Sequence, residues 1–282
     1  MTPTLKTTTM IAISEAVSAI RTATANFTPE VGIILGTGLG GFVEHIDITY
    51  SLDYKDIPNM PVSTVEGHHG RLIFGTVGGR KVVAMQGRFH YYEGYTMKQV
   101  TFPVRVMALL GIKYLFVSNA SGGINTSFRV GDLMIITDHI NLLPNPLIGP
   151  NMAEFGPRFP DMHDCYSSAL RAKATEIAEQ EAIKLQYGVY VGTTGPTFET
   201  QAEYRYFKAI GGDAVGMSTV PEVIVARHMG VPAFGVSVIT NCGLSDEKGD
   251  HEDVQRQGKR AGERMARLFT RLIEQLQSNY DK

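Results

Sequence analysis

The chain has 282 residues, 43% hydrophobic and 19% charged, enough apolar side chain to bury a large core, and it is expected to form a single domain over residues 1–282. Its 26 Lys and Arg against 28 Asp and Glu leave a formal net charge of −2, so no basic excess points to nucleic acid or to an anionic membrane. Cys165 and Cys242 fit neither C-x-x-C nor a disulfide framework, and no leader-like apolar region or bilayer-length apolar segment is evident, so a soluble cytoplasmic protein is expected.

A helical pattern covers residues 10–25, and the apolar run VGIIL at 31–35 leads straight into GTGLGG. Strand-length apolar runs follow at 71–77 and 81–86, then a helix at 97–110 after Thr96, and strands at 113–118 and 133–136. Residues 167–182, 201–210 and 221–229 read as helices, alternating with strands at 187–191, 213–216 and 233–239. In the last helix Ala261, Met265, Leu268, Leu272 and Leu276 recur at three- and four-residue steps, with Asp250 placed to cap it. The polar, Pro-rich stretches 50–61 and 141–160 are expected to be long loops. Several strands are apolar on consecutive residues, as strands covered on both faces must be, which predicts an α/β fold with a central sheet between helices.

The unusual residues fall just past the strand ends. KVVAMQ runs into GRFHYYEG, YLFVS into NASGG, YGVYVGTT into GPTFET, DAVG into MSTVPE and FGVSVIT into NCG. Turn preference explains the Gly, Asn and Ser, but not Arg88, His90, Glu93, Glu199 and Asn241 gathered at such positions. Ligands of open α/β sheets bind outside the carboxyl ends of the strands, so these loops are expected to line one crevice.

Gly36, Gly38 and Gly41 satisfy G-x-G-x-x-G, the spacing of dinucleotide folds. Only residues 42–46 separate them from the next extended run, DITYSL, which is too short for the crossover helix such a fold needs. A smaller anion suits the site better. Gly36 and Gly38 let backbone approach, Thr37 offers a hydroxyl, Arg88 a bidentate fork, and Ser218 a hydroxyl near a helix start. Gly216 to Val220 lacks the closing glycine of G-x-S-x-G, the paired His68 and His69 lack metal-ligand spacing, and Cys242 has no evident base partner. Singly, Arg88 also reads as an ion-pair residue, His90 as a core histidine and Glu199 as a helix-capping acid.

GTGLGG, STVEGHHGRLIFG, QGRFHYYEGY, TFPVRVMALLG, SNASGGIN, HINL, NPLIGPN, GPTFET, AVGMSTVPEVIVARHMG and ITN stand in the order found in trimeric purine nucleoside phosphorylases, and the chain resembles that family from about Val31 to its last helix. The resemblance implies a nucleoside-phosphorylase-like mixed β-sheet flanked by helices, a homotrimer, and reversible phosphorolysis of purine nucleosides to free base and α-ribose 1-phosphate. By the same resemblance Thr37, His68, Arg88, His90, the Ala120 amide and Ser218 hold phosphate, with Glu93 supporting His90. Tyr92, Met217 and His251 correspond to ribose contacts, and Phe155 to an aromatic that reaches a neighbouring subunit's sugar site. Ala120, Gly122, Phe198 and Val215 would line the base, while Glu199 and Asn241 read its polar edge.

Those residue types suit the chemistry. Glycosidic cleavage leaves an oxocarbenium-like sugar and an electron-rich base, and phosphate beneath the sugar is both nucleophile and counter-charge. Neither metal nor organic cofactor is called for; inorganic phosphate is a co-substrate. A carboxylate at Glu199 accepts N1–H of a 6-oxopurine and repels the N1 acceptor of adenine, so inosine and guanosine are expected to be preferred. The alternatives are a xanthosine- or methylthioadenosine-type phosphorylase, or a purine- and phosphate-binding relative without turnover.

Overall fold

In the computed structural model, which describes residues 5–37, 39–62, 70–243 and 251–276, the apolar runs become strands whose alternate residues feed two separate cores. In β1 (Val31–Leu35) every residue is buried; Val31, Ile33 and Leu35 face one core and Ile34 the other. In β4 (Arg80–Gln86) Val83 and Met85 point to one side, and Val82 and Ala84 to the other. An apolar run without alternation thus needs helices on both faces.

Helices α1 (Leu5–Ala23), α3 (Phe102–Leu110) and α6 (Val220–His228) cover one face, and α4 (Ser168–Gln180) and α7 (His251–Glu274) the other. Ala261, Met265, Leu268 and Leu272 form the stripe by which α7 docks, and all four are fully buried. Each of the two leucines contributes about 1.5–3 kcal/mol through that burial. Asp250, the expected cap, lies outside the described residues.

The remaining strands are β2 (Asp47–Asp53), β3 (Arg71–Val77), β5 (Tyr114–Gly123), β6 (Leu133–Asn141), β7 (Leu185–Gly192), β8 (Ala214–Gly216) and β9 (Ala233–Cys242). They form a mixed sheet in the order β2-β3-β4-β1-β5-β8-β7-β6-β9. β9 also pairs in parallel with β5, so β5, β8, β7, β6 and β9 close into a ring, while β1 through β4 extend from its side. The expected α/β mixed sheet between helices is what the chain forms.

Local differences from the sequence pattern have physical causes. Residues 47–53 form an edge strand against β3, although 50–61 read as loop, because its side chains are largely exposed and give no apolar signal. The helix expected over 97–110 divides at Thr101 (φ −97°, ψ 0°) into α2 (Met97–Val100) and α3. The Thr96–Gln99 capping box opens α2, and Pro103, which lacks an N–H, sits in the first turn of α3. β5, β6 and β9 run several residues beyond their apolar stretches. In β5 and β9 the ends pair, Gly122 opposite Asn241 and Gly123 opposite Cys242, so tertiary pairing holds extended a glycine-rich sequence that would otherwise turn.

After β1 the chain makes only a 3-10 turn, Gly40–His45, before β2, as the short connection required. Gly36 has a packing reason: a Cβ there would lie 2.7 Å from Asn119 Cα and Ser118 O of β5, so only glycine lets the β1 end pass so near its neighbour.

Candidate active site

The carboxyl ends of β1, β4, β5, β8 and β9 and the loop after β7 converge on one cleft of about 350 Å³. β1 delivers Thr37; the segment after β4 delivers Arg88, His90 and Tyr92; β5 delivers Asn119 to Gly122. Pro196, Phe198 and Glu199 come from beyond β7, Val215 to Ser218 from β8 and the turn after it, and Thr240 and Asn241 from β9.

One end of the cleft is built around a buried cation. Arg88 is 1% exposed; its Nη1 donates to Ser118 O at 2.9 Å and to Ser218 Oγ at 3.0 Å, with Thr219 Oγ1 at 3.5 Å. Its Nε lies 3.1 Å from Glu222 Oε1. Thr219 occupies φ +71°, ψ −51°, a costly conformation for a β-branched residue. Asn119 Nδ2 donates to its hydroxyl at 2.8 Å, and Ser237 Oγ donates to Asn119 Oδ1 at 2.7 Å, which anchors the turn to β5 and β9.

His90 shares this end. Its backbone N–H and its Nδ1 both meet Glu93 Oε1, at 2.7 and 3.0 Å, and its ring stacks on Tyr92 with centroids 4.6 Å apart. Burial drives the imidazole pKa down, against the opposing pull of Glu93, so the ring is neutral at pH 7. With the proton on Nδ1 given to Glu93, Nε2 has acceptor character. Burial likewise pushes the Tyr92 phenol up to about 12, so it stays protonated.

The other end is a carboxylate–phenol–amide relay. Tyr204 of α5 (Gln201–Ala209) donates its hydroxyl to Glu199 Oε2 at 3.0 Å and accepts from Asn241 Nδ2 at 3.3 Å. Burial raises the Glu199 pKa, while a backbone hydrogen bond and the Tyr204 hydroxyl pull it down. Capping is not its task. Thr200 and Glu203 cap α5 reciprocally, Glu203 Oε2 taking the Thr200 N–H at 2.7 Å and Thr200 Oγ1 the Glu203 N–H at 3.2 Å. Glu199 is thereby left facing the cleft, above Phe198, Val215 and Gly122.

Tyr204, which joins Glu199 to Asn241, is a residue that sequence pattern alone does not reveal. The signal lies in two glycines remote from it: a Cβ at Gly122 would come 2.6 Å from its hydroxyl, and one at Gly243 would overlap its ring. The structure thus gathers Thr37, Arg88, His90, Tyr92, Ala120, Gly122, Phe198, Glu199, Val215, Met217, Ser218 and Asn241 in one cleft. Phe155 lies elsewhere, buried beneath the Arg105 guanidinium 4.9 Å from its ring centroid. Cys242 points away, its thiol 3.6 Å from Phe128 O. Gly38, His68 and the His251 side chain lie outside the described residues. Among the described residues no cluster of three metal-type ligands occurs, and no helix is long and apolar enough to cross a membrane.

Comparison with known proteins places this arrangement. The family described as the phosphorylase superfamily matches residues 30–274. The chain is 52% identical over 257 residues to purine nucleoside phosphorylase 1 of Bacillus subtilis (strain 168), covering 90% of this chain and 93% of that one. It is also 52% identical over 260 residues to the purine nucleoside phosphorylase of Mus musculus, covering 89% and 90%. The crystal structure of Schistosoma mansoni purine nucleoside phosphorylase in complex with inosine superimposes with a TM-score of 0.91 at 44% identity, covering 96% of this chain and 98% of that one.

Tyr204→Phe removes one donor from Glu199. A hydrogen bond to a charged group is worth about 1.5–3 kcal/mol, so the Glu199 pKa is expected to move further upward. Carboxyl titration followed by 13C NMR, with Glu199→Gln as the blank, reads this directly. An unmoved titration would show that the hydroxyl does not stabilise the carboxylate.

Proposed function

Because this chain belongs to the phosphorylase superfamily, and within it to the purine nucleoside phosphorylases, we propose that its cleft cleaves 6-oxopurine ribo- and deoxyribonucleosides with phosphate, reversibly, to free base and α-(deoxy)ribose 1-phosphate. The observation that carries this is a single cleft with two unlike ends: a buried guanidinium ringed by hydroxyls, and a carboxylate tied through a phenol to an amide.

Phosphate sits at the Arg88 end, held by the guanidinium, the Thr37 and Ser218 hydroxyls and the Ala120 amide; family resemblance adds His68 to that set. The neutral His90 ring, fixed by Glu93, accepts at Nε2 from a protonated phosphate oxygen. Tyr92 and Met217 flank the sugar between the two ends, and family resemblance assigns its 5′ side to His251. At the far end Glu199 accepts N1–H of the purine and Asn241 donates to O6 or meets N7, with Phe198, Val215, Ala120 and Gly122 as walls.

As the glycosidic bond lengthens, positive charge grows on the sugar directly against phosphate, and negative charge grows on the base beside Asn241. Phosphate oxygen bonds to C1′ as the purine leaves, so one displacement accounts for the α-configured product. The protein contributes placement and fixed dipoles. Inorganic phosphate is the co-substrate and no further cofactor takes part in these steps.

The continuous sheet supports one domain over the whole chain. A homotrimer is supported by apolar surface on the 141–160 loop, where Ile148 is 71% exposed and Phe159 86%; Phe155 of the same loop would approach the neighbour's sugar site only on leaving its packing under Arg105. Light scattering of the purified protein is expected to give three times the chain mass; a monomer's mass would remove the trimer.

Glu199→Gln is expected to lower kcat/KM for inosine about 10–100-fold by replacing a buried charged acceptor, while adenosine, which gains nothing from that carboxylate, changes far less. Because burial raises the Glu199 pKa above its ordinary value, protonation removes the acceptor form as pH falls through that raised pKa, and wild-type inosine cleavage should fall with it. Equal losses on inosine and adenosine in a folded Glu199→Gln would take Glu199 out of base recognition.

A further inference from the structure

The first turn of α6 supplies more than the Ser218 hydroxyl. Three of its groups meet Arg88: Ser218 Oγ at 3.0 Å, Thr219 Oγ1 at 3.5 Å and Glu222 Oε1 at 3.1 Å. Glu222 is 2% exposed and does not line the cleft, so it acts on a ligand there through its neighbours, Arg88 first. Its Oε2 has no hydrogen-bond partner among the described residues, which leaves the guanidinium as the compensating charge that this buried carboxylate faces.

The geometry is stiff. Thr219 is locked in its positive-φ turn by Asn119, Pro221 stands in the first turn of α6, and Ser118 O of β5 holds Nη1 from the opposite side. Both partners of the ion pair are out of water, where interaction is strong and where losing one partner strands the other. The carboxylate is also felt at His90, where it opposes the lowering of the ring's pKa.

We propose that Glu222 is a positioning residue of the phosphate site. It holds the Arg88 guanidinium in place through the 3.1 Å ion pair at Nε and, as its counter-charge, limits how tightly that guanidinium takes phosphate. This rests on phosphate occupying the Arg88 end of the cleft. The two parts separate by substitution. Glu222→Gln keeps the shape and an oxygen against Nε but deletes the negative charge; Glu222→Ala deletes both.

Steady-state inosine cleavage, with phosphate and inosine varied in turn, reads the difference. Glu222→Gln is expected to lower the phosphate KM at least threefold and to lower the thermal midpoint without phosphate, with added phosphate restoring it. Glu222→Ala is expected to raise the phosphate KM tenfold or more, with the inosine KM within threefold of wild type in both variants. A merely structural residue would move both substrates alike and both variants in one direction, and that result overturns the proposal. A folded Glu222→Gln whose phosphate KM stays within twofold of wild type overturns it too, whether or not Glu222→Ala can be purified. Wild-type cleavage independent of phosphate would instead overturn the placement of phosphate at Arg88, which the kinetics of the two variants do not address.

Discussion

A guanidinium that is 1% exposed sits at the junction of the strands, and burying that charge is possible only with partners already in place. Those partners come from three directions: Ser118 from the middle of β5, Ser218 and Thr219 from the turn after β8, and Glu222 from α6. Meeting them ties the segment after β4 to β5, across the intervening β1, and to α6 over the sheet. The strained Thr219 turn persists because it is tied to Asn119, itself tied to Ser237. The result is a guanidinium held in a fixed place by groups from β5, from the turn after β8 and from α6.

The far end of the cleft follows from the closure of β5, β8, β7, β6 and β9 into a ring. That closure sets Gly122 of β5 opposite Asn241 of β9 and Val215 of β8. With no Cβ at Gly122, the Tyr204 hydroxyl fits between Glu199 and Asn241 and joins them. One strand, β5, therefore holds both ends of the cleft at a fixed separation: Ser118 behind the guanidinium and Gly122 behind the Glu199–Tyr204–Asn241 relay. A two-substrate reaction that needs phosphate beneath one face of a sugar and a purine on the other requires such a spacing.

Much of this was legible in the sequence. The unbroken apolar runs of β1 and β4 signalled a sheet covered on both faces, and the polar residues after each strand signalled one crevice; the structure joins them there. The short connection after GTGLGG correctly argued against a dinucleotide fold, since only a 3-10 turn follows. What escaped was set by tertiary pairing. The exposed edge strand β2 carries no apolar pattern, and the glycine-rich ends of β5 and β9 are extended only because they pair with each other. Tyr204 and Glu222 escaped for a related reason. Each lies within a helix, with no local signature, and has a partner more than 30 positions away, Asn241 for Tyr204 and Arg88 for Glu222. Phe155, chosen through resemblance, is buried under Arg105, outside the cleft of its own chain.

The central claim is that an anion and a purine nucleoside meet in this one cleft and that the anion is the nucleophile. Incubating the purified protein with inosine, with and without inorganic phosphate, and identifying the sugar product tests it most directly. Hypoxanthine release that requires phosphate and yields ribose 1-phosphate is the predicted result. Release of hypoxanthine and free ribose without phosphate would contradict it, because water would then be the nucleophile and the Arg88 site would have no part in the displacement.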